Sequence, residues 1–375
     1  MMIGMWLPIW TYLSGPPIHP RSEARYAFVS MDMAGRDSWL VPFNGDQPHL
    51  TKPPLTYWLE AASIKALGAN ELAVRLPSAV AGSLVVVLLV GLGTKLYGRR
   101  FGLIAGAILA VMPLHIVVSR LTLTDGLLAL WWLATLAFGY LSVRESNRLR
   151  WPVLLWTAVA LGWLTKGPLI LLPLAVLVVW LMVGSRRRDI AKLRPLIGLP
   201  LSMLPIIAWA VAVAITHAQA LEVWRTEVLG RATGGGAHAA PIWFFLPVLL
   251  VGMFPASAMM NLPGLNHPAR KTWRLIRIGH ERALWFWAVA LPLVIFSITP
   301  GKLATYILPI APPLALLVAP VIDDWLTRRA DGRKGWPDVR ITLFVVALVV
   351  TVGGFIAVYR MLGPAWLWVA LPSVP

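Results

Sequence analysis

One pattern constrains this chain more than any other: apolar stretches of membrane-crossing length, nearly free of charge, follow one another from residue 76 to residue 359. A helix of about 20 residues rises roughly 30 Å, the thickness of a bilayer's hydrocarbon core. Such runs, with some shorter ones, lie at 76–96, 101–118, 125–143, 151–164, 168–184, 195–217, 241–262, 283–299, 304–321 and 341–359. Backbone groups inside lipid must be satisfied within their own segment, which points to helices. The expected fold class is therefore all-α: one polytopic membrane domain over residues 1–375, with about 10–12 transmembrane helices. Composition agrees, since 58% of the 375 residues are hydrophobic and only 13% charged, with a mean hydropathy of +0.73. Residues 1–14, MMIGMWLPIWTYLS, read as an anchor or truncated first span; they have neither the basic leader nor the small-residue cleavage site of a signal peptide. The apolar stretch at 363–375 is left unassigned. Cysteine is absent, which excludes a disulfide framework and thiolate metal sites.

The net charge of +17 raises the possibility of nucleic-acid binding, and its distribution argues against it. Arg99 and Arg100, the 144–150 and 186–194 groups, the 270–282 group and the 328–340 group fall in every second connection and hold 20 of the 33 lysines and arginines. The positive-inside rule makes those connections cytoplasmic. The others then face outward: a long one at about 15–75, SRLTLTD at 119–125, TKG at 165–167, a stretch at about 218–240, and TPGKLATY at 299–306. On this outer face lie Glu23, Lys52, Asp125, Lys166, Glu227, His238 and Lys302, whereas the spans carry almost no charge. Ionisable groups gathered at one membrane face suit interfacial chemistry on a substrate with an anionic head and a lipid tail.

The first outer connection predicts two interfacial helices. HPRSEARYAFVSMDMAG, 19–35, begins one near Pro20 and Ser22, with Glu23 at its positive end and Tyr26, Val29 and Met33 as the apolar stripe of a helix lying in the interface. HLTKPPLTYWLEAASIKALG, 49–68, begins another, with its prolines at the first turn and Lys52 just ahead. Three lysines stand beside Pro or Gly at outer helix ends: Lys52 in TKPP, Lys166 in TKGP and Lys302 in PGKL. Such lysines either snorkel to water or serve as point-charge contacts to phosphate. Asp125 in LTLTDG and Glu23 are helix-terminal acids that can act as caps, as general bases on an acceptor, or as ligands for a divalent cation. His238, after the glycine run in GGGAHAAP, is the candidate metal ligand, with a merely interfacial role as the alternative.

At this point RSEARYAFVSMDMAGRDSWLVP, HLTKPPLTYWL, RLPSAVAGS, SRLTLTDGLLAL, LGWLTKGPLILLP, AHAAPIWFFLPVLLVGMFP and FSITPGKLATYILPIAPPLALL resemble, in the same order, the membrane region of bacterial GT-C glycosyltransferases. The likeness is to the lipid A aminoarabinose transferases and the related polyprenyl-phosphate-mannose protein mannosyltransferases, and it runs from about residue 20 to about residue 320. It implies transfer of a sugar, with inversion, from a polyprenyl-phosphate donor to a lipid, glycan or protein acceptor at the outer face of a bacterial inner membrane. Lys52, Lys166 and Lys302, together with Arg25 and Tyr306, would then hold the donor phosphate; Glu23 or Asp125 would be catalytic, and a divalent metal has a role in some relatives. Two departures bear on this. Relatives often carry Asp-Glu where this chain has Ser22-Glu23, and an acid where Thr51 precedes Lys52. The sequence also ends soon after its last spans, so a small or separately supplied acceptor site is expected. A transporter of lipid-linked sugars and an inactive binder remain the alternatives.

Overall fold

A computed structural model describes residues 2–18, 22–36, 38–233, 240–259 and 281–330. The expected span at 341–359, the stretch at 363–375, His238 and most of the 270–282 and 328–340 basic groups lie outside the described residues.

The described chain is helical apart from a two-residue antiparallel hairpin, Phe43–Asn44 with Gln47–Pro48, turned at Gly45. Five described stretches are long and apolar enough to cross a membrane: Glu71–Tyr97, Thr124–Arg144, Arg150–Val183, Pro195–Thr216 and Glu281–Ile298. A bent pair, Arg99–Ala110 with Pro113–Ser119, makes a sixth, at 70°. The sequence suggests a straight 101–118 run, and Pro113 is the reason it is bent. The residue before a proline is driven out of the helical region, and Met112 is extended at φ −68°, ψ 122°. Likewise the 304–321 run opens as a 3₁₀ turn over Ala304–Ile310, then becomes the Ala311–Ala330 helix.

The centre of the bundle is α7, Thr124–Arg144, buried along nearly its whole length. Against it packs a hairpin of α8, Arg150–Lys166, and α9, Leu171–Val183. Trp151 at the start of α8 donates to Glu145, just past the end of α7 (2.9 Å), and Lys166 at the close of α8 meets Asp125 at the beginning of α7. The chain then reverses at Gly167, whose φ of 66° and ψ of −137° suit a residue without Cβ, and α9 returns until Trp180 packs on Tyr140. One 34-residue apolar stretch is thus two antiparallel crossings, with TKGP as its turn.

Helices in lipid associate through close packing of small residues rather than through exclusion of water. At the contact of α4, Glu71–Tyr97, with α5, Arg99–Ala110, a Cβ on Gly93 would stand 2.9 Å from the Gly102 Cα. Asn70 caps α4 by accepting from the Ala73 amide at 2.9 Å.

The first outer connection forms an arm of two helices, α2, Ser22–Arg36, and α3, Leu55–Leu67. Both fall where the sequence places them, but the stripe faces differently from expectation. Tyr26, Val29 and Met33 are buried against Tyr57 and Ala61 of α3, so the apolar face of α2 is spent on its partner helix instead of on lipid. Indole donors tie the arm down: Trp209 of α10, Pro195–Thr216, donates to the Leu40 carbonyl at 2.9 Å, and Trp224 of α11, Ala220–Thr233, to that of Leu50 at 2.8 Å.

Candidate active site

The hairpin turn brings together three residues far apart in sequence. Lys166 Nζ donates to Asp125 Oδ1 at 2.7 Å, with the two side chains only 6% and 10% exposed. The same ammonium lies 4.9 Å from the centre of the Tyr306 ring, a cation–π distance. Asp125 sits in the first turn of α7, where a carboxylate also favours the helix dipole. Lys166 is the last residue of α8, and Tyr306 belongs to the 3₁₀ turn before the Ala311–Ala330 helix.

Behind Asp125 stands an aromatic wall. Tyr26 and Tyr57 stack at 5.7 Å, and His49 meets Tyr57 edge-on at 5.6 Å while Thr51 lies within hydrogen-bond distance of the imidazole, at 3.2 Å. Burial, reinforced by the negative charge of Asp125, pushes the Tyr26 phenol up to about 12. Burial likewise raises Tyr57, with Tyr26 and Glu60 adding to it. Arg25 is exposed on the same helix, 5.8 Å from the Tyr26 ring. Lys52 is half-buried one step ahead of Pro53 and Pro54 at the head of α3, which touches α8.

Glu23 occupies a different setting. It is 1% exposed, and both its oxygens accept from Arg75, at 2.8 and 3.1 Å. Arg75 spends its remaining donors on the carbonyls of Leu13, Pro16 and Pro17. Glu23 Oε1 also accepts from the Thr122 amide at 3.3 Å, three residues before Asp125, and the Thr122 hydroxyl donates to the Val74 carbonyl at 2.9 Å. One buried fork therefore joins the chain ahead of α2, the start of α4 and the loop that presents Asp125. Lys302 is also committed locally: 4% exposed, it donates to the carbonyls of Ala240 at 2.8 Å and Thr299 at 2.6 Å.

Sequence reading missed two residues here. Arg75 is hidden as one charge at the head of an apolar run. Glu60 looks like a solvated residue of an amphipathic helix, yet it is fully buried between α3 and α2, with the Ser30 hydroxyl donating to it. Burial raises its carboxyl to about 8, against the Ser30 hydrogen bond and with a smaller push from Glu23. No signal in the sequence shows that this face of α3 is closed, because the α2 stripe that covers it reads equally well as facing lipid.

The described residues do not assemble a metal centre, and His238, the candidate ligand, lies outside them. Among the described residues no three His, Asp or Glu side chains are grouped closely enough to hold an ion. The charges of Asp125 and Glu23 are matched by Lys166 and Arg75.

A buried acid–lysine pair beneath a tyrosine thus lies at one end of a bundle of membrane-crossing helices, with the first outer connection folded over it. The sequence profile of the dolichyl-phosphate-mannose-protein mannosyltransferase family matches residues 51–211. The chain is 33% identical over 318 residues to an undecaprenyl phosphate-alpha-4-amino-4-deoxy-L-arabinose arabinosyl transferase of Pectobacterium carotovorum, covering 82% of this chain and 55% of the relative. It is 31% identical over 344 residues to that of Aeromonas salmonicida, covering 89% and 62%. The chain thus spans less than two thirds of the length of these relatives. The fold matches ArnT from Cupriavidus metallidurans bound to undecaprenyl phosphate, with a TM-score of 0.75 at 22% identity over 99% of this chain and 74% of that one. An archaeal oligosaccharyltransferase, AglB from Archaeoglobus fulgidus, shares the fold at a TM-score of 0.54 and 12% identity, over 93% of this chain and 54% of that one. In sequence and in fold the chain is thus similar to aminoarabinose transferases of the ArnT type.

Proposed function

We propose that this protein transfers a sugar from an undecaprenyl-phosphate-type donor to an acceptor at the extracytoplasmic face of a bacterial inner membrane. The observation that carries the reading is the Lys166–Asp125 pair at 2.7 Å, closed off from water and roofed by Tyr306. The family and the relatives' names supply the donor class. The alternation of basic connections supports the outward orientation.

The pair explains how donor binding readies the site. In its absence Asp125 Oδ1 is occupied by the Lys166 ammonium. A donor phosphate brings a competing anion, and Lys166 shifts its charge-assisted hydrogen bonds toward the phosphate oxygens. Lys52 at the arm and Arg25 on α2 add positive charge from the other side. Asp125 is thereby released to accept a proton from the acceptor hydroxyl or amine. The acceptor atom forms its bond to the sugar's anomeric carbon as the bond to the phosphate oxygen breaks, inverting that carbon. Undecaprenyl phosphate leaves with one more negative charge, which the lysines stabilise. The Glu23–Arg75 fork holds the loop that aims Asp125, and Lys302 fastens the 299–302 turn leading to Tyr306. Neither touches the reacting atoms. The described residues do not make a metal site, and no step runs through one.

Two variants test this. Asp125→Asn leaves Lys166 without its internal partner, so undecaprenyl phosphate binds at least as tightly while transfer falls by about 10²–10⁴. Lys166→Gln weakens phosphate binding. Wild-type turnover in Asp125→Asn, or unchanged phosphate affinity in Lys166→Gln, overturns the assignment.

A further inference from the structure

At the opposite end of α7 from Asp125, about 30 Å away along a helix of this length, lies a second polar site that sugar transfer does not use. It is a cleft of about 260 Å³ lined by Tyr140, Val143, Arg144, Trp180, Arg186 and Glu281. Three chain segments meet there: the last turn of α7, the end of α9 with the turn after it, and the first residue of the Glu281–Ile298 helix.

Its polar groups are ordered. The Tyr140 hydroxyl donates to Glu281 Oε2 at 3.1 Å and accepts from Arg144 Nη1 at 3.2 Å, so it holds an acid and a base apart on either side of itself. Arg144 is exposed and, among the described residues, makes no ion pair within 4 Å; its guanidinium keeps unspent donors. Arg186 lies 5.4 Å over the Trp180 ring and is already matched by Asp189 at 2.7 Å. The floor is aromatic, with Tyr140 packed on Trp180 at 5.8 Å and on Trp285 at 6.1 Å.

An opening at a helix-bundle end, at the level where basic residues meet lipid headgroups, fits a phospholipid better than a free metabolite. The pairing of charges narrows the class further. A purely anionic headgroup would meet Arg144 favourably and Glu281 unfavourably. A headgroup that carries both a phosphate and a primary ammonium satisfies the two together, the phosphate at the Arg144 fork and the ammonium at Glu281 against the aromatic floor. We infer that this cleft is a binding site for a zwitterionic, amine-bearing phospholipid headgroup, on the membrane face opposite the Asp125–Lys166 site.

The test is lipid retention, which reads out whether or not the protein transfers sugar and so stands apart from the proposed function. Purified protein is reconstituted in phosphatidylcholine nanodiscs containing equal small fractions of phosphatidylethanolamine and phosphatidylglycerol, and lipids that stay bound are counted by native mass spectrometry. Wild type retains phosphatidylethanolamine over the other two. Arg144→Gln, losing a charged fork, retains it about tenfold less, and Arg144→Lys restores part of the loss. Glu281→Gln removes the preference for the amine headgroup over phosphatidylglycerol. Thermal melts show that all three variants are folded. Equal retention of the three lipids by wild type, or unchanged retention in folded Arg144→Gln and Glu281→Gln proteins, overturns the inference.

Discussion

Replacing Glu23 by glutamine separates two readings of an acid in the first outer connection, base or fastener. The substitution leaves Arg75 buried at 2% exposure without its counter-charge while its three backbone acceptors stay in place. Breaking a buried ion pair from one side costs about 3–5 kcal/mol, because the remaining charge stays desolvated. With an unfolding entropy near 2 cal/mol/K per residue, a loss of that size lowers the melting midpoint of a chain this long by roughly 5 °C. Removing both charges, as Glu23→Gln with Arg75→Met, takes away the uncompensated charge. The double variant should therefore recover part of the loss, although the carbonyls of Leu13, Pro16 and Pro17 then lack a donor. The assay is a fluorescence-monitored melt in lipid nanodiscs, paired with donor turnover measured well below the midpoint. A fastener predicts that turnover follows stability and recovers with it in the double variant. If the double variant melts near wild type while turnover stays down by about 10² or more, Glu23 is the base and the fastener account is wrong.

Three further outcomes follow from the same geometry. Lys302→Met loses two charge-assisted bonds to carbonyls, each worth about 1.5–3 kcal/mol, and should lower the melting midpoint while leaving undecaprenyl phosphate affinity within about twofold; a large affinity loss without a change in melting would place Lys302 at the phosphate. Glu60, with its folded carboxyl raised to about 8 from 4.5, binds its proton more tightly folded than unfolded, so stability is highest below the unfolded value and declines as pH rises from about 4.5 to about 8. Glu60→Gln should therefore match wild type near pH 5 and exceed it above pH 8 in melts across that range; parallel curves for the two proteins would refute the sign. Gly167→Ala forces a side chain into a backbone at φ 66° and should cost about 1–2 kcal/mol, with transfer reduced beyond the stability loss because the turn carries Lys166; turnover unchanged in that variant would show that the turn does not set the lysine's position.

Much of this architecture is legible in the residues, for identifiable reasons. Hydropathy marks helices because lipid leaves the backbone no other partner, and α4, α7 and α10 lie where the apolar runs do. Prolines and glycines mark breaks: Gly167 turns the α8–α9 hairpin and Pro113 bends the 99–119 crossing, although the apolar run around Pro113 conceals the bend. Asp125 and Lys166 can be placed on one face because each sits at a span end, but only the fold shows them as a single ion pair. Pairings across long separations were not legible. Arg75 reaches Glu23 across 52 residues, and Lys302 reaches the Ala240 carbonyl across 62; a carbonyl acceptor leaves no trace in residue type. The covered face of α2 was misjudged for a related reason, since a stripe of Tyr, Val and Met looks the same whether it meets lipid or another helix.

The central claim is that the Asp125–Lys166 pair serves sugar transfer from a lipid-linked phosphate. Release of free undecaprenyl phosphate from a panel of undecaprenyl-phosphate sugars, followed in proteoliposomes with lipid A, glycan and peptide acceptors offered in turn, tests it most directly. Release with at least one donor and acceptor, abolished in Asp125→Asn protein that still binds undecaprenyl phosphate, is the predicted result. Tight binding of the donors by wild type with no release in any combination, or release that persists in Asp125→Asn, would contradict it.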